Sequence, residues 1–203
     1  MKNTDRILKL KSQMLNRDMP VVFRLDGTDY PFHSDFREWI RFESLVNDSD
    51  MPELVKPVLM RNLIFAGKPP PNTYAADRFI AWFYNGGHEL KKRDGDADGD
   101  VLESRRVYDF EYDFDYIYAA FLEQYGIDLT DILYLHWWKF RALFKGLHDC
   151  RMTDIMGYRG AEISEDMPDS RKRFLMDMQE LYELPVSLAE QQRIKEAQKF
   201  LNG

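Results

Sequence analysis

The stretch Gly126-Ile127-Asp128-Leu129-Thr130-Asp131-Ile132-Leu133-Tyr134-Leu135-His136-Trp137-Trp138-Lys139-Phe140-Arg141-Ala142-Leu143-Phe144 is the densest apolar segment of the chain. Leu133, Trp137, Phe140, Phe144 and Leu147 recur at helical spacing and form one stripe, while Leu135, Trp138 and Ala142 form a second. A helix that is apolar on more than one side belongs in the middle of a fold. The segment therefore predicts a mainly α protein organised around a central helix. Asp128 or Thr130 is its expected start, and Gly146 its expected end.

Upstream of this segment, Tyr108-Asp109-Phe110-Glu111-Tyr112-Asp113-Phe114-Asp115-Tyr116 alternates aromatic and acidic residues, which predicts an extended entry. Asp113 or Asp115 can then cap a helix carrying Tyr118, Phe121, Leu122 and Tyr125, with Gly126 as its stop. Nearer the N-terminus, Val21–Leu25 and Thr28–Phe32 are β-prone runs around Asp26-Gly27. That dipeptide tolerates positive φ at both turn positions and signals a hairpin, with Pro31 marking an edge or an end. Ser34-Asp35 with Glu38 caps a helix carrying Phe36, Trp39, Ile40 and Val46. A second helix is expected from Pro52, split or kinked at Pro57, and a third from about Thr73 to Tyr84, ending at Asn85-Gly86-Gly87. A short helix is expected from about Thr4 to Leu15. On the C-terminal side, the pattern predicts a short helix at Thr153–Gly157 and a long one opened by Pro168 and broken by Pro185. A last polar helix is expected from the capping box Ser187/Glu190 to Leu201. The fold class is mainly α, a compact helical protein with a small N-terminal β-hairpin. Residues 1–87 form a hairpin-and-helix half, 88–106 a flexible acidic linker, and 107–203 an aromatic-rich helical half, with the two halves expected to share one core.

The 203 residues carry a formal net charge of −7, which argues against a general nucleic-acid-binding protein. One cysteine, Cys150, excludes an internal disulfide and suits a reducing cytoplasm. No apolar run has the length of a signal peptide or a membrane span, so a soluble protein without a membrane partner is expected.

The sequence carries no complete catalytic or metal-binding motif. Arg93-Asp94-Gly95-Asp96-Ala97-Asp98-Gly99-Asp100-Val101 opens like a calcium loop, with carboxylates at positions one, three and five and glycine at six. Position twelve is Arg105, a cation where a bidentate glutamate is required, so the stretch reads as an exposed, metal-free acidic loop. Cys150 and His148 are two residues apart and do not face each other on a helix. His33, His88, His136 and His148 lack zinc-ligand spacing, and His136 reads as a hydrogen-bonded core or rim histidine. Phosphate-cradling and dinucleotide fingerprints are absent from the sequence. No catalytic residue, metal or cofactor is expected. Trp137 and Trp138 read first as core, with an exposed aromatic docking patch as the alternative.

The run Tyr108 to Leu147 resembles a phage protein family, the gene-product-fifteen family of long-tailed phages and prophages of Gram-positive bacteria. The residues that carry the likeness are Tyr116-Ile117-Tyr118-Ala119-Ala120-Phe121, Tyr125-Gly126-Ile127-Asp128-Leu129 and His136-Trp137-Trp138-Lys139-Phe140. Asp154-Ile155-Met156-Gly157-Tyr158-Arg159, and the Asp26-Gly27 hairpin leading into Phe36-Arg37-Glu38-Trp39-Ile40, are similar too. Genes of the family typically precede the tape-measure gene, where tail assembly chaperones are encoded. The resemblance implies a non-enzymatic tail assembly factor in the host cytoplasm. Its expected partners are the tape-measure protein, the tail-tube protein and a further copy of itself, with no nucleic acid. Tyr118, Trp138, Phe174 and Met178 are the candidate partner contacts. The competing readings are a structural component of the tail and a calcium-binding interaction module.

Overall fold

The computed structural model describes residues 19–88 and 106–185. Among these, one two-stranded sheet and seven helices make the protein mainly α. Strands β1 (Val22–Leu25) and β2 (Thr28–Pro31) pair antiparallel in the register Val22↔Pro31 to Leu25↔Thr28. The turn residues Asp26 and Gly27 have φ of 49° and 78°, the double positive φ that Asp-Gly supplies at low cost. Pro31 closes β2, and its carbonyl accepts from Ala66 N at 3.0 Å. The proline can end the strand because it lacks only an N–H.

Helices α1 (Phe36–Asn47), α2 (Lys56–Ile64) and α3 (Thr73–Tyr84) follow. The expected start of α2 at Pro52 is wrong. Helix begins at Lys56, and Pro57 stands in its first turn, where a missing N–H and a fixed φ do no harm. Leu54 and Val55 consequently precede the helix. The bounds of α3 agree with the sequence pattern, and Asn72 caps it by accepting Ala75 N at 3.1 Å.

Helices α4 (Phe114–Tyr125), α5 (Trp137–Lys145), α6 (Arg151–Gly160) and α7 (Asp169–Leu181) complete the described chain. The expected extended entry to α4 is instead a turn, in which the Asp109 carboxylate accepts the Glu111 and Tyr112 amides at 2.7 and 2.8 Å. Gly126, at φ 64°, ends α4 as a left-handed cap: its amide reaches Leu122 O, and the Ile127 amide reaches Phe121 O.

The largest departure from the sequence pattern lies in the opening stretch itself. Helix does not run from Asp128 but begins only at Trp137. The Asp128 carboxylate accepts the Thr130 amide at 2.9 Å and the Thr130 hydroxyl at 2.6 Å, a local turn that competes with helix. Leu133, placed on the stripe by its spacing, is 99% exposed.

The chain clusters into two units. The first comprises the described residues of Met1–Phe42, Glu53–Glu89 and Tyr134–Arg141. Its core is aromatic. Phe32, Phe36, Trp39, Phe83, Trp137 and Phe140 are all buried, and Phe32 meets Phe83 edge to face at 4.7 Å. The second comprises the described residues of Glu43–Pro52, Leu90–Leu133 and Ala142–Gly203. Ile117, Phe121, Met152, Ile155 and Leu175 are buried at its centre.

Candidate functional site

In the first unit, two helix starts are joined by backbone. Asp35 and His136 form an antiparallel bridge: Trp137 N donates to Ser34 O at 2.8 Å, and Phe36 N to Leu135 O at 2.9 Å. Each bridge residue also caps the helix that follows it. Asp35 Oδ1 accepts Arg37 N at 3.0 Å, and His136 Nδ1 accepts Trp138 N at 3.1 Å. Asp35 Oδ2 takes Leu135 N as well, at 3.1 Å. The carboxylate thus serves both helix starts, a role sequence spacing cannot show because its second partner lies a hundred positions on.

Since the Trp138 amide must donate, His136 Nδ1 carries no proton, and Nε2–H points to Pro20 O at 3.3 Å. Burial pushes the imidazole below its ordinary value of 6.5, the Pro20 carbonyl opposes this, and Lys139 adds to it. Protonation would also place a cation at the start of α5, where the helix dipole disfavours it. The unfolded chain therefore takes up this proton at a higher pH than the folded one. The associated stability is complete above the ordinary value and is lost as pH falls through the depressed one. Urea midpoints should fall between pH 7.5 and pH 5, and His136→Gln should flatten that dependence; an unchanged slope in the variant would reject the assignment.

The two tryptophans after His136 have different surroundings. Trp137 is 1% exposed; its ring lies parallel to Tyr84 at 5.6 Å and to Phe140 at 5.7 Å, and Nε1 donates to Tyr84 O at 3.0 Å. Trp138 is half-buried, with Nε1 donating to Phe83 O at 2.7 Å. A Cβ on Gly87, whose φ is +80°, would lie 2.9 Å from Trp138 Cη2, so glycine both turns the chain and admits the indole.

In the second unit, Asp113 and Arg159 form a buried ion pair. Nη1 meets Oδ2 at 2.6 Å and Nη2 meets Oδ1 at 2.9 Å, with side-chain exposures of 4% and 0% for the arginine and aspartate. The guanidinium also donates to Tyr182 O at 2.6 Å and Val107 O at 3.2 Å. Asp113 stands at the N-cap position of α4, as its sequence suggests, but its side chain makes no cap bond; it accepts Asp109 N at 2.9 Å and holds Arg159.

Beside this pair opens a cleft of about 460 Å³, lined by Tyr112, Asp115, Tyr116, Arg159, Leu181 and Tyr182. Tyr116 meets Tyr182 edge to face at 6.4 Å; Tyr182 stacks on Tyr158 at 6.1 Å, and Tyr158 meets Phe174 at 5.7 Å. Tyr112 and Leu181 are 55% and 65% exposed. In the first unit Leu54, Val55, Val58 and Leu59 are exposed in and just before α2.

Comparison with known families gives a match to the family described as Bacteriophage Gp15 protein, over residues 15–184. The chain belongs to that family. As a Gp15-family member it is a phage protein with a general role in tail assembly. No curated protein and no solved structure matches it.

The four candidate contacts of this Gp15-family chain fall in two different units. Trp138 belongs to the first unit, and Tyr118, Phe174 and Met178 to the second. Tyr118 is half-buried beside Phe114, its hydroxyl 3.3 Å from Asp128; burial raises its pKa first, and the Asp128 charge adds to that. Phe174 is exposed against Tyr158, and Met178 is half-buried. Cys150 stands just before α6, with Thr153 Oγ1 3.7 Å from its Sγ. The His148 ring turns to Gly146 O at 3.1 Å. The described residues contain no metal-ligand cluster and no helix long and apolar enough to cross a membrane. The acidic stretch at 93–101 and the expected helices at 4–15 and 187–201 lie outside the described residues.

Proposed function

We propose that this protein is a non-enzymatic tail assembly chaperone that binds the phage tape-measure protein in the host cytoplasm and leaves as tail-tube subunits polymerise. A tape-measure protein is a long helix with apolar stripes that would aggregate uncovered. The observation that supports the reading is exposed apolar surface on an acidic chain. Leu54 is 92% exposed, with Val55, Val58 and Leu59 near it, while the net charge of −7 favours solubility of a coated complex. Such side chains suit helix-in-groove contacts of the exchangeable kind that displacement requires. Among the four candidate contacts, Phe174 offers the most open ring, on a helix that also exposes Met176 and Leu181.

Co-expression with the tape-measure protein of the same phage tests this. A soluble co-eluting complex in size-exclusion chromatography is expected, together with near-absence of the chaperone from purified tails. An insoluble tape-measure protein despite abundant chaperone would overturn the reading. Stoichiometric protein in mature tails would replace it with a structural role.

A further inference from the structure

The cleft in the second unit is mainly aromatic, with one carboxylate in its lining. Three of its walls are tyrosines, Tyr112, Tyr116 and Tyr182, and a fourth is Leu181. The charge of Arg159 is matched by Asp113, and the guanidinium also donates to the Tyr182 and Val107 carbonyls. Asp115 lines the same cleft, in the first turn of α4, and has no ion-pair or hydrogen-bond partner among the described residues. The charges of the pair cancel, so the cleft presents one uncompensated carboxylate among aromatic faces. On α7, next to Leu181, Asp177 and Glu180 are exposed and carry no ion pair among the described residues.

We propose that this cleft binds an arginine side chain presented by an amphipathic helix of a protein partner. Tyrosine faces attract a cation through the ring quadrupole, and a guanidinium is the cation that stacks on them while its fork engages a carboxylate. A volume of about 460 Å³ exceeds one arginine side chain and leaves room for an apolar neighbour against Leu181. The occupant is chosen by charge complementarity: an acidic segment would face the Asp115 carboxylate, and an uncharged apolar one would leave that carboxylate without a partner. The inference deepens the chaperone reading by naming what the tape-measure helix must present, and rests on that reading for the partner's identity only.

The test uses the full-length protein and a short alanine-based helical peptide with one arginine flanked by leucines three and four positions away. A second peptide replaces the arginine with citrulline, which is isosteric and neutral. Calorimetry should show binding of the arginine peptide, weakened about tenfold by citrulline, by Asp115→Asn or by Tyr116→Ala. Asp115 is exposed, so its asparagine variant should keep the circular dichroism and melting temperature of the parent. Equal binding of the two peptides, or no heat with the arginine peptide, overturns the proposal. Co-purification separates the two readings. Tape-measure protein retained by Asp115→Asn as well as by wild type would sink the cleft and leave the chaperone standing. Arginine-dependent peptide binding without tape-measure capture by wild type would do the reverse.

Discussion

Replacing Arg159 with methionine should cost about 3–5 kcal/mol of folding stability, among the largest effects of any single substitution in the chain. The loss does not measure the strength of the ion pair. It arises because Asp113 is left charged and fully buried, with the Asp109 amide at 2.9 Å as its remaining donor. The Tyr182 and Val107 carbonyls lose their guanidinium donors in the same step. Three separated points of the second unit, at Val107, at Asp113 before α4 and at Tyr182 after α7, are thus released together. Asp113→Leu should be comparably damaging, since it strands the cation. The double variant Asp113→Leu/Arg159→Met should recover part of the loss, because an apolar pair avoids desolvating two charges. Urea unfolding followed by circular dichroism gives all four values. Single variants that cost under about 1 kcal/mol would show the pair to be hydrated and inconsequential.

Local signals in the sequence were good guides where local chemistry decides the structure. Asp26-Gly27 forms the hairpin turn, Asn72 caps α3, and Gly126 ends α4, because each depends only on neighbours in the chain. The opening stretch failed for the opposite reason. Its spacing favours one long helix, but Leu135 and Trp137 give their backbone bonds to residues 34–36. A bridge partner a hundred positions away leaves no trace in helical periodicity. Asp113 is similar: its cap position was legible, its ionic partner was not. A signal for that partner did exist. Met152, Ile155 and Arg159 share one face of α6, and all three are buried, so a cation on an apolar stripe marked the need for a buried anion. The aromatic cleft was hidden more deeply. Tyr112 and Tyr116 read as part of an alternating strand, and Tyr182 as the end of an amphipathic helix. The turn at Asp109–Asp113, the Arg159 bond to Tyr182 O and the Tyr116–Tyr182 ring contact bring them to one place.

Trp137→Ala should also cost about 3–5 kcal/mol, and Trp138→Ala markedly less, about 2 kcal/mol. Adjacent tryptophans in one motif invite the same reading for both, yet their surroundings differ. Trp137 fills the space between Tyr84, Phe140 and Trp39, with its ring within about 20° of parallel to each. Removing it opens a cavity that three aromatic neighbours cannot collapse into without leaving their stacked positions. The Tyr84 carbonyl keeps a donor in Arg141 Nη1, so the expected loss is dominated by packing rather than by an orphaned acceptor. Trp138 is half-buried, held by the Phe83 carbonyl and by edge contact with Trp82 at 5.4 Å, and water can reach part of the space it leaves. The comparison bears on function as well. If Trp138 is a partner contact, Trp138→Ala should reduce tape-measure capture by more than its stability loss explains, whereas Trp137→Ala should reduce capture only in step with unfolding. Chemical denaturation of both variants beside co-purification yields the two quantities independently. Equal stability losses for the pair would contradict the burial difference on which the argument rests. Capture that tracks stability in both variants would assign the whole His136-Trp137-Trp138 motif to the core and leave partner binding to other surfaces.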